Sequence, residues 1–316
     1  MPINADKPHL WKPDIAQSVD LFNSWFMKSA PAAYRATRAA TTQQVKNALE
    51  HTNDLRYLVP ETIKRHPEVL PTLRMSTAPP IARDRLIGLA GVPGSLVRRL
   101  EKGKLPARMS ETVLSECLAR VCEVIGRLLD EDVLPWLGSG STPSDADRTR
   151  AATIVADRLC GAVADPIIRN AQEKRQLALI EDFLERRHYR KQAHPRNEPL
   201  TAMEPGTFSF RMIVVVGTTK KVNIPIDVVI QPKVLRLNRL PVLIEAKSAG
   251  DSTNTNKRRK EEATKIHQLR QAYGPEIQLI LFLCGYFDSG YLGYEAAEGL
   301  DWIWEHRIED LRRLGI

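Results

Sequence analysis

The spacing of apolar residues changes character about two-thirds of the way along the chain. Up to residue 164 they recur at three- and four-residue intervals, as at Ile15, Val19, Phe22, Trp25 and Phe26, which marks helices with one buried face. Helices are predicted at 14–30, 42–53, 60–66, 81–90, 95–102, 110–137 and 145–164. Ser110 followed by Glu111 reads as an N-cap with acid in the first turn. The clearest break is GSGSTPS at 138–144. A long helix is expected from Asp165 to about Arg190, with Leu177, Ile180, Phe183 and Leu184 on one face. Beyond it the pattern becomes alternation and unbroken apolar runs rich in β-branched residues. FSFRMIVVV at 208–216, a turn at 217–220 and a return at 221–230 predict a hairpin; 240–247 predicts a third strand. A helix at 256–273, a buried strand at 277–284, a helix near 294–298, an alternating edge strand at 301–306 and a last helix at 308–314 follow. The expected fold class is α/β in the broad sense, more strictly α+β: a mixed sheet flanked by helices, preceded by an all-helical region. The expected division is 1–164 and 165–316.

Two predicted strands carry acid among apolar residues. Asp227 lies between Ile226 and Val228, and Glu245 follows Val242, Leu243 and Ile244 directly. Burying a carboxylate costs on the order of several kcal/mol unless it is paired, hydrogen-bonded or bound to a cation. Glu245 and Lys247 are two apart, so on a strand they share one face. If the Asp227 strand lies alongside, that face holds two carboxylates and an ammonium. Hard oxygen ligands of this kind suit Mg²⁺, and the lysine can orient or deprotonate a water or stabilise charge on phosphorus. The plainer alternative is an exposed hairpin with ordinary surface charges.

Composition adds a direction. Forty-six Lys and Arg against 38 Asp and Glu give a formal charge of +8, a mild bias toward polyanionic partners. No run of 18 apolar residues is present, so no membrane span is expected, and the first residues show no apolar signal core. The four cysteines, Cys117, Cys122, Cys160 and Cys284, have no zinc spacing and read as reduced thiols of a cytoplasmic protein.

Two segments could meet DNA. Residues 81–106 combine a short helix, a glycine-containing turn and a second helix bearing Arg98 and Arg99, and so look like a helix-turn-helix; an αα-hairpin within a helical scaffold is the alternative. The polar run after Lys247 contains Ser248, Asn254 and Asn256 and leads into Lys257, Arg258, Arg259 and Lys260. The polar side chains can donate to phosphates or base edges, and the basic ones can neutralise phosphates. Cations at the start of a helix oppose its dipole by about a few tenths of a kcal/mol, which argues for an anionic partner.

The spacing Asp227, then Glu245-x-Lys247, resembles the PD-(D/E)xK nuclease superfamily, with its Pro-Asp loosened to Pro225-Ile226-Asp227. LRMSTAPPIARDRLIGLAGV at 73–92, LIEAKSAGDSTNTNKRRKEEATK at 243–265 and the tail GYEAAEGLDWIWEHRIEDL together resemble XamI-type type II restriction endonucleases over most of the chain. That resemblance implies a Mg²⁺-dependent endonuclease cutting double-stranded DNA at a short, palindromic sequence and leaving 5′-phosphates. It implies Asp227, Glu245 and Lys247 as catalytic residues, with the Ala246 carbonyl beside the two carboxylates on the metal. The superfamily often adds an acid from the preceding helix, for which Glu173 is the candidate and Glu181 the next. A homodimer and a cognate methyltransferase that protects host DNA are implied by the type II system. The rivals are a structure-specific repair or junction nuclease and a non-catalytic helix-turn-helix regulator.

Overall fold

The computed structural model describes residues 2–195, 198–217, 221–235, 240–251 and 255–316, the side chains of 255–258 excepted. The chain divides into two compact units, one of Met1–Ala30 with Arg169–Ile316 and one of Pro31–Ile168. Two helices cross between them. α1 spans Pro8–His51 and is continuous where the sequence predicts two helices, because the intervening residues 31–41 are rich in alanine, the best helix former. The last long helix before the sheet spans Asp145–Arg186, again one helix where two are expected on either side of residue 164. Pro166 sits inside it.

The Pro31–Ile168 unit is helical. Between the two long helices come α2 (Pro60–Arg65), α3 (Leu70–Met75), α4 (Arg83–Ala90), α5 (Gly94–Leu100), α6 (Glu111–Gly126) and α7 (Pro135–Ser139), and the Asp145–Arg186 helix is α8. Leu70, Leu73, Leu96, Leu118, Ile125 and Trp136 form its core. Ser110 caps α6 as expected, its hydroxyl accepting the Val113 N–H. The helix stops at Gly126 rather than running to 137, because the residues after it join residues 76–78. Ala78 N–H donates to Leu128 O and Asp130 N–H to Ser76 O, while the Asp130 carboxylate takes Arg158 at 2.7 Å. α4 and α5 are two short helices joined by a turn at Gly91 with φ +58°, an arrangement common to a helix-turn-helix and to an αα-hairpin.

The other unit holds a six-stranded mixed sheet among the described residues, with strands in chain order. The strands are β1 (Arg190–Lys191), β2 (Thr207–Val216), β3 (Val222–Gln231), β4 (Val242–Ala249), β5 (Gln278–Gly285) and β6 (Asp301–Trp304). β2–β3 and β3–β4 are antiparallel; β1–β2, β4–β5 and β5–β6 are parallel. α9 (Thr255–Tyr273) connects β4 to β5 and α10 (Ser289–Ala297) connects β5 to β6. Two-residue β1 has too little pattern to be seen in the sequence, and the predicted last helix is a 3-10 helix, Glu305–Leu314. The expected turn at 217–220 lies, beyond Gly217, outside the described residues.

One sheet face packs Val228, Ile230, Ile244 and Phe282 against Leu177, Ile180, Phe183 and Leu184 of α8. On the other, Ile224, Ile226, Leu243 and Leu279 meet Ile266 and Leu269 of α9. The first residues of the chain were expected with the helical region but join the sheet. The Asn4 side-chain amide donates to Trp302 O at 2.8 Å, Ser18 accepts the Gly285 N–H at 2.8 Å, and Trp11 packs edge-on to Trp302. Trp302 and Trp304 are core residues, fully buried. All four cysteines are free and buried, and no described helix is long and apolar enough to cross a membrane.

Candidate active site

β4 carries Glu245 and Lys247 on the face that looks toward α9, and Val228 of β3 pairs with Ile244 of β4. Just before Val228 on β3 comes Asp227, whose carboxylate reaches β4 at Ala246, beside Glu245. β3 changes faces at this point: Val228 and Ile230 pack toward α8, whereas Ile224 and Ile226 pack toward α9. Alternate residues of an undistorted strand would keep one face. The distortion is visible on β2, where Phe210 pairs with Val228 and Met212 with Ile226 while Arg211, between them, adopts φ +52°. A left-handed arginine costs roughly 1–2 kcal/mol, and such backbone strain concentrates at functional sites.

The polar contacts converge here. Asp227 accepts the Ala246 N–H on Oδ2 at 2.9 Å. Glu245, with a side chain only 3% exposed, receives Lys265 Nζ on Oε1 at 2.7 Å and Lys247 Nζ on Oε2 at 3.2 Å. Lys265 also donates to Pro225 O at 3.1 Å. Lys247 reaches Glu262 Oε1 of α9 at 3.5 Å, and Tyr291 of α10 donates to Glu262 Oε2 at 2.6 Å. Burial, and then the charge of Glu245, push the Asp227 carboxyl up to about 6, with the Glu173 charge adding to the rise. Burial alone would pull Lys247 down, but Glu245, Glu262 and Asp227 together outweigh it and hold the ammonium above its usual range. Negative charge at Asp227 is therefore not fully compensated by the protein's own cations. Two carboxylates near each other on neighbouring strands, one short of positive charge, form a donor set that a hard divalent cation satisfies.

The structure thus brings Asp227, Glu245 and Lys247 to one place, as the sequence predicts. Glu173 lies close enough for its charge to act on Asp227, but it is paired with Arg211 at 2.9 Å. Glu181 is engaged elsewhere, by Lys191 at 2.8 Å. Of the DNA-contact candidates, Arg98 and Arg99 are exposed at the end of α5, Arg99 donating through Nε to Leu105 O. Lys260 is exposed, whereas the Arg259 guanidinium lies over the Tyr294 ring, 5.2 Å from its centroid. Ser248 is half-buried at the end of β4. Asn254, and the side chains of Asn256, Lys257 and Arg258, lie outside the described residues. Sequence reading missed Lys265, Glu262, Tyr291 and Glu295. A signal for the first two exists: they lie three apart on a helix, so both face the strand that carries Glu245 and Lys247.

Residues 53–304 match the family model of the XamI restriction endonuclease. The chain belongs to the XamI restriction endonuclease family. It is 60% identical over 313 residues, 99% of either chain, to the type II restriction enzyme SalI of Streptomyces albus G. A solved structure, protein VC1899 from Vibrio cholerae, aligns over 90% of this chain and 56% of its own at 12% identity. Its TM-score of 0.29 is too low to bear on the fold. In this XamI-family chain the matched span holds the α4–α5 pair and the whole Asp227–Glu245–Lys247 cluster with Glu262, Tyr291 and Glu295. Family membership makes the chain a restriction endonuclease, a hydrolase.

Proposed function

We propose that this chain is a type II site-specific deoxyribonuclease of the PD-(D/E)xK kind, hydrolysing phosphodiester bonds of double-stranded DNA with Mg²⁺ at a short palindromic sequence and leaving 5′-phosphates. The observation that carries this reading is the convergence of Asp227, which accepts the N–H of Ala246, on the adjoining Glu245, whose carboxylate holds the Lys247 ammonium. Asp227, Glu245 and the Ala246 carbonyl would hold the metal. Bound there, Mg²⁺ would supply electrophilic stabilisation of the phosphate and a more acidic water. Lys247, held as an ammonium, donates to the attacking water or to a phosphate oxygen and stabilises the charge that develops on phosphorus. Asp227 is fixed by the Ala246 N–H, so its other oxygen is oriented before substrate arrives. A two-fold symmetric sequence calls for a homodimer with one such site per strand, and a type II system calls for a methyltransferase acting on the same sequence. In the helical unit, exposed Arg98 and Arg99 are the candidate phosphate contacts.

Digestion of unmethylated plasmid and phage DNA with Mg²⁺, alongside EDTA and Ca²⁺, tests the reading. Discrete fragments that religate without added kinase are expected. Cleavage confined to branched or flapped substrates would point to a structure-specific nuclease instead. A metal-independent gel shift with no cutting on any duplex would point to a DNA-binding regulator.

A further inference from the structure

Behind Lys247 lies a buried acid cluster that the reaction as described does not use. We propose that Glu262 is a positioning residue for Lys247 and is itself fixed by Tyr291. The proposal rests on the reading of Lys247 as catalytic.

Glu262 is 1% exposed and Glu295 and Tyr291 are as deeply buried. A buried carboxylate is unfavourable unless each oxygen finds a partner. Glu262 Oε2 accepts the Tyr291 hydroxyl at 2.6 Å, while Oε1, which accepts no hydrogen bond, has the Lys247 ammonium as an ion-pair partner at 3.5 Å. Lys247 therefore sits between Glu245 at 3.2 Å and Glu262, one on its own strand and one on α9. With Glu245 as its sole anchor, the flexible four-carbon stem could swing the ammonium across that carboxylate. With two anchors the ammonium is confined between the two carboxylates.

The hydroxyl further in holds Glu262 still. Burial, then the charges of Glu262 and Glu295, raise the Tyr291 phenol far above its usual range, so it remains a donor. Burial, then the Glu262 charge, push Glu295 up to about 9, so at neutral pH it carries its proton and adds no second negative charge beside Glu262. On stability grounds an apolar trio would serve α9 and α10 as well, since buried ionic groups are poor stabilisers. What Glu262 and Tyr291 supply and leucines would not is a fixed carboxylate at the head of Lys247.

The test is single-turnover cleavage of a cognate duplex by the full-length protein, with DNA affinity measured separately in Ca²⁺ and thermal stability recorded for each variant. Glu262→Gln is expected to slow cleavage about tenfold to a hundredfold with DNA affinity unchanged, the range for loss of an outer partner of a catalytic group. Tyr291→Phe should slow it less. Cleavage at the wild-type rate by Glu262→Gln, with Lys247→Ala inactive, overturns the positioning role alone. Rate, affinity and stability falling together in both variants overturns it too, since that is the behaviour of a structural core. Cleavage by Lys247→Ala at the wild-type rate would remove the reading of the site itself.

Discussion

Lys265 offers a prediction in which stability and metal affinity move in opposite directions. Its ammonium donates to Glu245 Oε1 at 2.7 Å and to Pro225 O at 3.1 Å, and its side chain is 21% exposed. Lys265→Met keeps the apolar stem and removes the charge. Glu245, almost fully buried, is left with Lys247 as its partner. A charge-assisted hydrogen bond contributes about 1.5–3 kcal/mol, and water can reach part of the vacated space, so a loss of about 2 kcal/mol is expected in urea unfolding with EDTA present. The same change removes a positive charge beside the proposed metal ligands. A unit charge about 4 Å away at an effective dielectric of 20 acts with about 4 kcal/mol before screening. If screening and relaxation leave only about 1.4 kcal/mol of this, divalent affinity still rises about tenfold. Calorimetric titration with Ca²⁺ reads that change without turnover. A variant as stable as wild type, or one binding Ca²⁺ more weakly, would refute the reasoning that Lys265 neutralises Glu245 in the metal's place.

Three further outcomes follow from other parts of the molecule. Arg74→Met in the helical unit removes the Nε and Nη2 bonds to Glu101 at 2.7 and 2.9 Å and strands a largely buried carboxylate; urea unfolding should show a loss of about 3–5 kcal/mol, part of it recovered by adding Glu101→Gln. Glu295 titrates near 4.5 unfolded and near 9 folded, so the native state holds the extra proton and stability falls as pH rises between those values; the stability advantage of Glu295→Gln over wild type should grow across that window, by at most about 1.4 kcal/mol per pH unit, and level off above pH 9. Arg98→Ala should weaken binding uniformly across sequences and lower the slope of log affinity against log salt by about one, measured by fluorescence anisotropy in Ca²⁺.

The strands of the sheet were legible because their apolar runs are long and β-branched, and because Asp227 and Glu245 interrupt them where an acid has no inexpensive structural use. Ser110 gave away its cap by its own chemistry. Helix ends were less legible. Pro31 and Pro166 look like breaks but are accommodated, and the true end of α6 depends on Leu128 and Asp130 bonding to residues remote in sequence. The association of the first residues with β5 and β6 rests on Asn4, Trp11 and Ser18, none of which announces a distant partner. The inner half of the site was hidden for a related reason. Glu262 and Lys265 fall within NKRRKEEATK, a run whose charge reads as a solvated or DNA-facing surface until α9 is laid against β4. Arg211 gives no sequence signal at all, since nothing in its neighbours demands a left-handed arginine.

The central claim is that Asp227, Glu245 and Lys247 are the centre where the phosphodiester is cut. It is tested most directly by comparing wild type, Asp227→Ala and Lys247→Ala in two parallel measurements on one cognate duplex: single-turnover cleavage in Mg²⁺ and equilibrium binding in Ca²⁺. The expected result is loss of cleavage in both variants, by at least about a hundredfold, with Lys247→Ala still binding the duplex. Cleavage by either variant at the wild-type rate would place the active site elsewhere in the chain.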